Sequence, residues 1–201
     1  ACAPFRRLHL CDYNLETIET NNYDSDNAKH NLLLEVCMAA KYEGDLIKTH
    51  YTPYEAQYPG SGSTTCTALA RSFADIGDIV RGKDLFYGNP QEKDRRDKLD
   101  KNLKEIFAKI HGKLTKEAQE YYKKDDKDGN YYQLREDWWY ANRETVWKAL
   151  TCDDGLSNSK YFHATCNGKE PTKGYCRCDG DQVPAYFDYV PQFLRWFEEW
   201  A

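Results

Sequence analysis

The stretch QEKDRRDKLDKNLKEIFAKIH, residues 91–111, decides the fold class. Leu99, Leu103, Ile106, Phe107 and Ile110, with Leu114 just beyond, recur three and four residues apart. At about 100° per residue they fall on one face, and most of the remaining positions are charged. The spacing predicts an amphipathic helix from about Gln91 to His111 with one buried stripe.

The same period extends in both directions. Upstream, a helix starting near Ser63 to Thr65 carries Cys66, Leu69, Phe73, Ile76 and Val80, with Gly82 or Gly88-Asn89-Pro90 closing it. An earlier helix, from about Asn27 to Tyr42, is apolar over most of its circumference, so it reads as buried, with Gly44 as its stop. Between these two, Tyr51 to Thr65 reads as a loop because of Pro53, Pro59, Gly60 and Gly62. Downstream, Lys123 to Asn130 reads as a polar turn, and Leu134 to Leu150 as a helix carrying Trp138, Trp139, Val146 and Trp147. Cys152 to Val183 is a Gly-, Asp- and Cys-rich loop. A last helix begins around Pro191, the residue favoured at a first helical position, with Phe193, Phe197 and Trp200 on one face. No segment alternates as a strand, so the expectation is an all-α fold.

Hydrophobic residues make up 40% of the 201, enough for a real core and too many for a disordered chain. The net charge of -5 argues against a general nucleic-acid binder. Sixteen tyrosines and five tryptophans supply side chains that bury large area yet keep one polar atom for a partner. Cys2, Cys11, Cys37, Cys66, Cys152, Cys166, Cys176 and Cys178 form an even set, which reads as disulfides in an oxidising compartment. Neither a signal segment nor an apolar run long enough for a membrane is present in the sequence, so an anchor is expected outside it. The opening close to a cysteine and the close inside a helical pattern at Trp200 make the chain read as an excerpt.

Catalytic and metal motifs fail on inspection. Gly77 to Asp84 nearly matches a phosphate-binding loop, but Asp84 replaces the magnesium-holding hydroxyl and the string follows a helix, not a strand. Asp126 to Gly129 hints at a calcium loop, yet Lys124 and Arg135 occupy positions that need carboxylates. His163, Cys166, Cys176 and Cys178 could ligate zinc, but Cys-x-Cys is a poor chelating knuckle and disulfides are the favoured reading. The scattered histidines (His9, His30, His50, His111, His163) join no nucleophile or metalloprotease pattern. The expectation is a binding module with no cofactor, not an enzyme.

Between Glu92 and Lys124, eleven basic residues face seven acidic ones. Lys93, Arg95, Arg96, Lys98, Lys101, Lys109 and Lys113 are the candidates for a sulphated-glycan patch. Against this, Glu92/Arg96, Asp94/Lys98, Asp97/Lys101, Asp100/Lys104 and Glu105/Lys109 are acid-before-base pairs four residues apart, the order that favours a solvated helix face.

Four strings carry a family resemblance: ACAPFRRLHLC (1–11), ARSFADIGDIVRGKD (70–84), WWYANR (138–143) with Val146-Trp147, and DYVPQFLRWFEEW (188–200). Together they resemble the Duffy-binding-like domains of malaria adhesins, in the wording of the N-terminal alpha class of the Plasmodium falciparum erythrocyte membrane protein 1 family. The resemblance implies a disulfide-stapled helical domain on the extracellular face of the infected erythrocyte membrane. It implies cytoadherence, rosetting and antigenic variation, with erythrocyte or endothelial receptors and sulphated glycans such as heparan sulphate as partners. A spacer or immune decoy without a ligand of its own is the rival role.

The chain would hold the end of a first subdomain (about 1–25), the second (about 26–165) and the start of a third (about 166–201). The resemblance also suggests Cys66 with Cys178, leaving Cys37 with Cys152 and Cys166 with Cys176, while Cys2 and Cys11 pair outside the chain. Arg6, Arg7, Asp75, Asp78, Arg81, Arg143 and Arg195 alternate with apolar residues, so buried ion pairs are their expected role. Contact surfaces are expected in the loops 49–65, 123–130 and 157–174.

Overall fold

A computed structural model describes residues 2–18, 20, 26–57, 65–161, 163–179 and 182–200. Among these the chain forms helices α1 (Phe5–Leu8), α2 (Tyr13–Glu16), α3 (Ala28–Gln57), α4 (Thr65–Arg81), α5 (Pro90–Gly112), α6 (Lys116–Tyr121), α7 (Lys123–Asp128), α8 (Tyr132–Leu150) and α9 (Gln192–Trp200). Within the described residues the β structure is limited to two isolated bridges in the long loop after α8, Cys166 with Glu170 and Gly174 with Arg177. The all-α, disulfide-stapled expectation holds.

Helix α4 is the centre. Nearly every residue from Thr65 to Arg81 is buried, which an amphipathic surface helix could not manage. Phe73, Ile76 and Val80 join the core that α4 shares with α3 and α8. Ser72, Asp75, Asp78 and Arg81 follow one another at three-residue steps and form a polar stripe towards α1 and α9. Phe73 meets Trp139 at 5.0 Å and the edge of Trp147 at 5.2 Å, and Phe107 of α5 meets Trp138 edge-on at 6.1 Å. Such aromatic pairs add roughly 0.5–1.5 kcal/mol each beyond the area they bury.

The periodic stretch is helix α5, and its apolar stripe is buried as expected. Gly88-Asn89-Pro90 starts this helix: the Asn89 side chain accepts from Glu92 N–H, the Glu92 carboxylate accepts from Asn89 N–H, and Pro90 takes the first turn. Helix α3 corrects the reading of Gly44 as a stop, since it continues through Gly44 and Pro53 to Gln57. Gly44 is where α3 meets the C-terminal end of α8, and an added Cβ would overlap the Leu150 carbonyl oxygen. Its missing side chain serves close packing, not termination. The rest of the expected 51–65 loop, residues 58–64 with Pro59, Gly60, Gly62 and Ser63, lies outside the described residues. Lys123 to Asn130 is not a bare turn either. It contains α7, closed by Gly129 in the left-handed region (φ 65°).

The disulfides correct the expected pairing. Cys66 bonds to Cys176 and Cys166 to Cys178, instead of Cys66 to Cys178 and Cys166 to Cys176. Tyr175 and Cys176 both take left-handed backbone angles (φ 52° and 55°), and Cys176 is buried against α4 beneath Trp147, whose indole N–H donates to the Cys176 carbonyl. Cys178 stays nearer the surface and closes the Cys166 turn. The zinc alternative falls with the same observation, because Cys166, Cys176 and Cys178 are oxidised. Cys37 and Cys152 carry free thiols and are not bonded to each other. Gly44 faces Leu150 and Lys48 pairs with Asp153, so α3 and α8 run parallel. Cys37 precedes Gly44 by two turns while Cys152 follows Leu150, which separates them by about 13 Å along the axis at 1.5 Å per residue. That is beyond disulfide reach. Cys2 and Cys11 are also unbonded within the chain.

Gly44→Ala forces α3 and α8 apart, and we expect a loss of about 1–3 kcal/mol in urea unfolding despite the better helix propensity of alanine. Gly112→Ala, where an added Cβ meets nothing within 4 Å, is the control and should be neutral or slightly stabilising. Equal effects at the two positions would rule out close packing as the role of Gly44.

Candidate functional site

The polar stripe of α4 is the densest cluster of chemistry-bearing side chains in the described chain. Asp75 is completely buried and accepts from Arg6 Nη2 at 2.7 Å, Arg195 Nη2 at 2.7 Å and the Gln192 amide at 3.1 Å. Burial alone would raise its pKa, but the Arg6 and Arg195 guanidiniums outweigh burial and hold it below the ordinary value. Arg195 also donates to Asp78 at 2.6 Å, and Asp78 accepts from Arg81 at 2.8 Å. Arg81 continues to Glu136 of α8 at 3.0 Å and to the Asp188 carbonyl at 2.5 Å. Arg6 reaches the opposite way, with two bonds to Glu199 of α9 and one to Ser72.

Two satellites complete the network. Asp188, in a turn at Phe187–Tyr189, accepts from Arg143 Nη2 at 2.6 Å, Arg143 Nε at 2.9 Å and Trp139 Nε1 at 2.8 Å. Asp84 accepts from Arg7 at 2.8 Å and from Gln192 at 2.7 Å, and it also pairs with Arg96 of α5. The sequence expectation that Arg6, Arg7, Asp75, Asp78, Arg81, Arg143 and Arg195 form buried ion pairs therefore holds. The network also takes in Glu43, Ser72, Asp84, Glu136, Asp188, Gln192 and Glu199. Of these, Glu43 lies in α3 among other charged residues such as Glu35, Lys41 and Asp45, so no sequence signal marks it.

This arrangement binds segments together. Its carboxylates face guanidiniums, which cannot act as proton donors or acceptors near neutral pH. The near-phosphate-binding string is the end of α4, where Gly77 lets the Trp139 ring approach and Asp84 is held by Arg7.

The basic candidates on α5 are dispersed. Lys93, Arg95, Lys98 and Lys101 are exposed, with Arg95 near Glu16 at 3.4 Å. Arg96 turns inward to Asp84 and stacks over Phe86, Lys109 donates to the Thr20 carbonyl, and Lys113 pairs with Asp26 at 2.5 Å. Of the five expected four-residue pairs, only Asp100 with Lys104 forms an ion pair among the described residues, at 2.8 Å. The outer face of α5 is mixed in sign, with Asp94, Asp97 and Glu105 among its lysines. Exposed aromatics lie elsewhere: Tyr140 on α8, Tyr186 and Tyr189 before α9, and Phe193, Phe197 and Trp200 on it. The outer loop 157–174 is exposed over much of its described length, with residue 162 outside the description.

Glu43 gives the network a pH signature. Burial holds its carboxyl above the ordinary value, against the hydrogen bonds from Ser72 Oγ and Cys11 N–H. Its raised folded pKa means that its contribution is fully present below the ordinary 4.5 and is lost as pH rises through the folded value. Asp75, lowered, has the opposite sign and loses its contribution as pH falls below 3.8. Thermal melts of Glu43→Gln against the unaltered chain should show a difference that shifts in favour of the variant from pH 4 to pH 7. A difference that is flat over that range refutes the assignment. Arg143→Met strands buried Asp188 and should cost about 3–5 kcal/mol in urea unfolding. Adding Asp188→Asn should recover a large part of the loss, and no recovery would mean that Arg143 acts through packing alone.

Residues 1–195 match the Duffy binding domain family. The Duffy receptor alpha form of Plasmodium knowlesi is 23% identical over 207 residues, covering 100% of this chain and 15% of its own length. The NTS-DBL1(alpha-1) domain of Plasmodium falciparum membrane protein 1 (PfEMP1), varO strain, is 46% identical with a TM-score of 0.80, covering 100% of this chain and 43% of that structure. A PfEMP1 DBLbeta domain solved bound to ICAM-1 is 34% identical with a TM-score of 0.72, covering 100% of this chain and 44% of that one. The chain thus spans less than half the length of each of these relatives. Matched over residues 1–195, the chain belongs to the Duffy binding domain family.

Proposed function

We propose that the chain works as an extracellular adhesion module that binds a receptor protein or glycan on the host-cell surface. The observation that carries this reading is the end-to-end similarity, at 46% identity, to a PfEMP1 NTS-DBL1(alpha-1) domain. The partners in this reading are erythrocyte or endothelial surface receptors and sulphated glycans such as heparan sulphate. The module is displayed on the extracellular face of the infected erythrocyte membrane, with its anchor outside this chain, and serves cytoadherence, rosetting and antigenic variation. The division at about residues 25 and 165 into parts of three subdomains belongs to the same proposal.

The exposed aromatics support it, since Tyr and Trp are enriched at the centres of protein interfaces. The inward turn of Arg96 and the engagement of Lys109 and Lys113 move weight away from a glycan patch on α5. No described helix is long and apolar enough to cross a membrane.

The test is binding of the folded, oxidised chain to erythrocytes, to endothelial cells and to heparin across a salt titration. Saturable binding to at least one cell type is expected, and any glycan component should weaken as salt rises. A Lys93→Glu/Lys98→Glu/Lys101→Glu variant should keep its cell binding. Folded chain that binds neither cell type would favour the spacer or decoy role instead.

A further inference from the structure

Asn167-Gly168 is the one Asn-Gly pair in the sequence, and it stands at the exposed tip of the hairpin that the Cys166–Cys178 bond closes. We propose that this pair is a modification site, a deamidation site that the closed hairpin protects and that local opening of the hairpin exposes. The proposal is independent of the adhesion reading.

The chemistry is intrinsic to the two residues. An asparagine side-chain amide can be attacked by the main-chain nitrogen of the next residue, and glycine, with no Cβ, leaves that nitrogen unobstructed. The Gly168 nitrogen bonds to Asn167 Cγ as the Cγ–Nδ2 bond breaks. The side-chain nitrogen leaves as ammonia with the proton that Gly168 gives up. One water then opens the cyclic imide. Addition at Cγ gives an aspartate on an unaltered main chain, and addition at the main-chain carbonyl gives an isoaspartate, in which the chain runs through the side chain. Either route consumes one water and releases one ammonia, with no oxidant or reductant involved.

The fold holds the reacting atoms apart. Asn167 lies in the left-handed region (φ 48°), as does Gly168 (φ 81°). Left-handed residues have ψ of about +30 to +60°, which turns the next nitrogen away from Cβ. Ring closure needs that nitrogen nearly eclipsed with Cβ, so ψ must rotate out of the left-handed well. Main-chain bonds resist the rotation. Gly168 N–H donates to the Thr165 carbonyl at 3.2 Å and Lys169 N–H to the Cys166 carbonyl at 3.1 Å, while Cys166 and Glu170 exchange bonds of 2.9 and 2.7 Å. The first of these also engages the proton that the Gly168 nitrogen must lose.

The protection is local. Cys166 is buried, and its bond to Cys178 fixes the inner end of the hairpin, whereas Asn167, Gly168, Lys169 and Glu170 are all exposed. An added Cβ at Gly168 would meet nothing within 4 Å, so no other segment packs over that side of the tip. Exposed backbone bonds of this kind belong to the low-stability end of a fold and open without the core. Each opening that reacts leaves a permanent product, because the ammonia is lost to solvent. That product carries a new negative charge near Glu170, and the isoaspartate form lengthens the turn between the paired Cys166 and Glu170.

Peptide mapping by mass spectrometry, with isoaspartyl methyltransferase labelling, follows residue 167 while the oxidised chain is incubated in mildly alkaline buffer with and without urea. Deamidation in buffer should be at least tenfold slower than in urea. The slowing should match the hydrogen-exchange protection of the Glu170 amide and fall well short of that of α4 core amides such as Ile76. A Cys166→Ser/Cys178→Ser variant, with Cys66–Cys176 and the protection of α4 retained, should deamidate at least tenfold faster than the unaltered chain in buffer. If that variant does not fold, the comparison with hydrogen exchange decides alone. Equal rates in buffer and urea, or no reaction in urea, overturn the proposal. So does slowing that matches the α4 amides, since only global unfolding would then expose the site, or a folded variant no faster than the unaltered chain.

Discussion

A carboxylate shut away from solvent must find cations, and Asp75 is completely buried. It lies in the middle of α4, the most enclosed helix of the fold, and its cations come from Arg6 of α1 and Arg195 of α9. Those helices stand at opposite ends of the sequence, so one buried charge fixes where both ends of the chain dock. Gln192 and Ser72 occupy further hydrogen-bonding positions around this centre, and Glu199 binds the far side of Arg6. An apolar replacement of equal volume could match such a network in stability, but it would not dictate a single arrangement of three segments. The value of the network lies in geometry more than in free energy.

The two sides of α4 divide the work. Towards α3 and α8 the contacts are apolar and aromatic, with Phe73 between Trp139 and Trp147 and Gly77 admitting the Trp139 ring. Towards α1 and α9 they are ionic. Trp139 links both sides, because its ring packs on Phe73 while its N–H holds Asp188, the carboxylate that Arg143 clamps. A shift in the core is therefore transmitted to the turn that leads into α9. The Cys66–Cys176 bond adds a covalent tie spanning 110 residues, and constraining a loop of that length in the unfolded chain contributes up to about 5 kcal/mol.

What was legible in the sequence followed from local periodicity. Helices α4, α5, α8 and α9 show an apolar stripe at helical spacing, and their expected spans agree with the structure to within about two residues. The misreadings arose where distant partners decide. Gly44 resembles a helix stop until Leu150 is placed against it, and Pro53 resembles a loop residue although α3 carries it. The cysteine pairing turned on the left-handed backbone at Tyr175 and Cys176, which neither composition nor spacing announces. The ion pairs on α5 looked internal to the helix, yet Arg96 found Asp84 and Lys109 found the Thr20 carbonyl on other segments. Helical spacing shows which charges can meet along one helix and says nothing of charges brought alongside by the fold. For the candidate site, the charged strings identified the buried framework, while Glu43, one of several charged residues in α3, carries no mark of its part in it.

The framework also constrains where a binding surface can be. Arg6, Arg7, Arg81, Arg143 and Arg195, the residues with the strongest potential for recognising anions, are turned inward and matched by carboxylates. A partner competing for them would have to unmake the attachment of α1 or α9. The Cys-x-Cys segment has an inner and an outer side. Cys176 points inward and locks to α4 beneath Trp147, while Tyr175, Arg177 and Cys178 on either side of it stay nearer the surface. A loop anchored in this way can change its outer side chains without loosening the core. Its outward residues lie outside the network of buried carboxylates that specifies the fold.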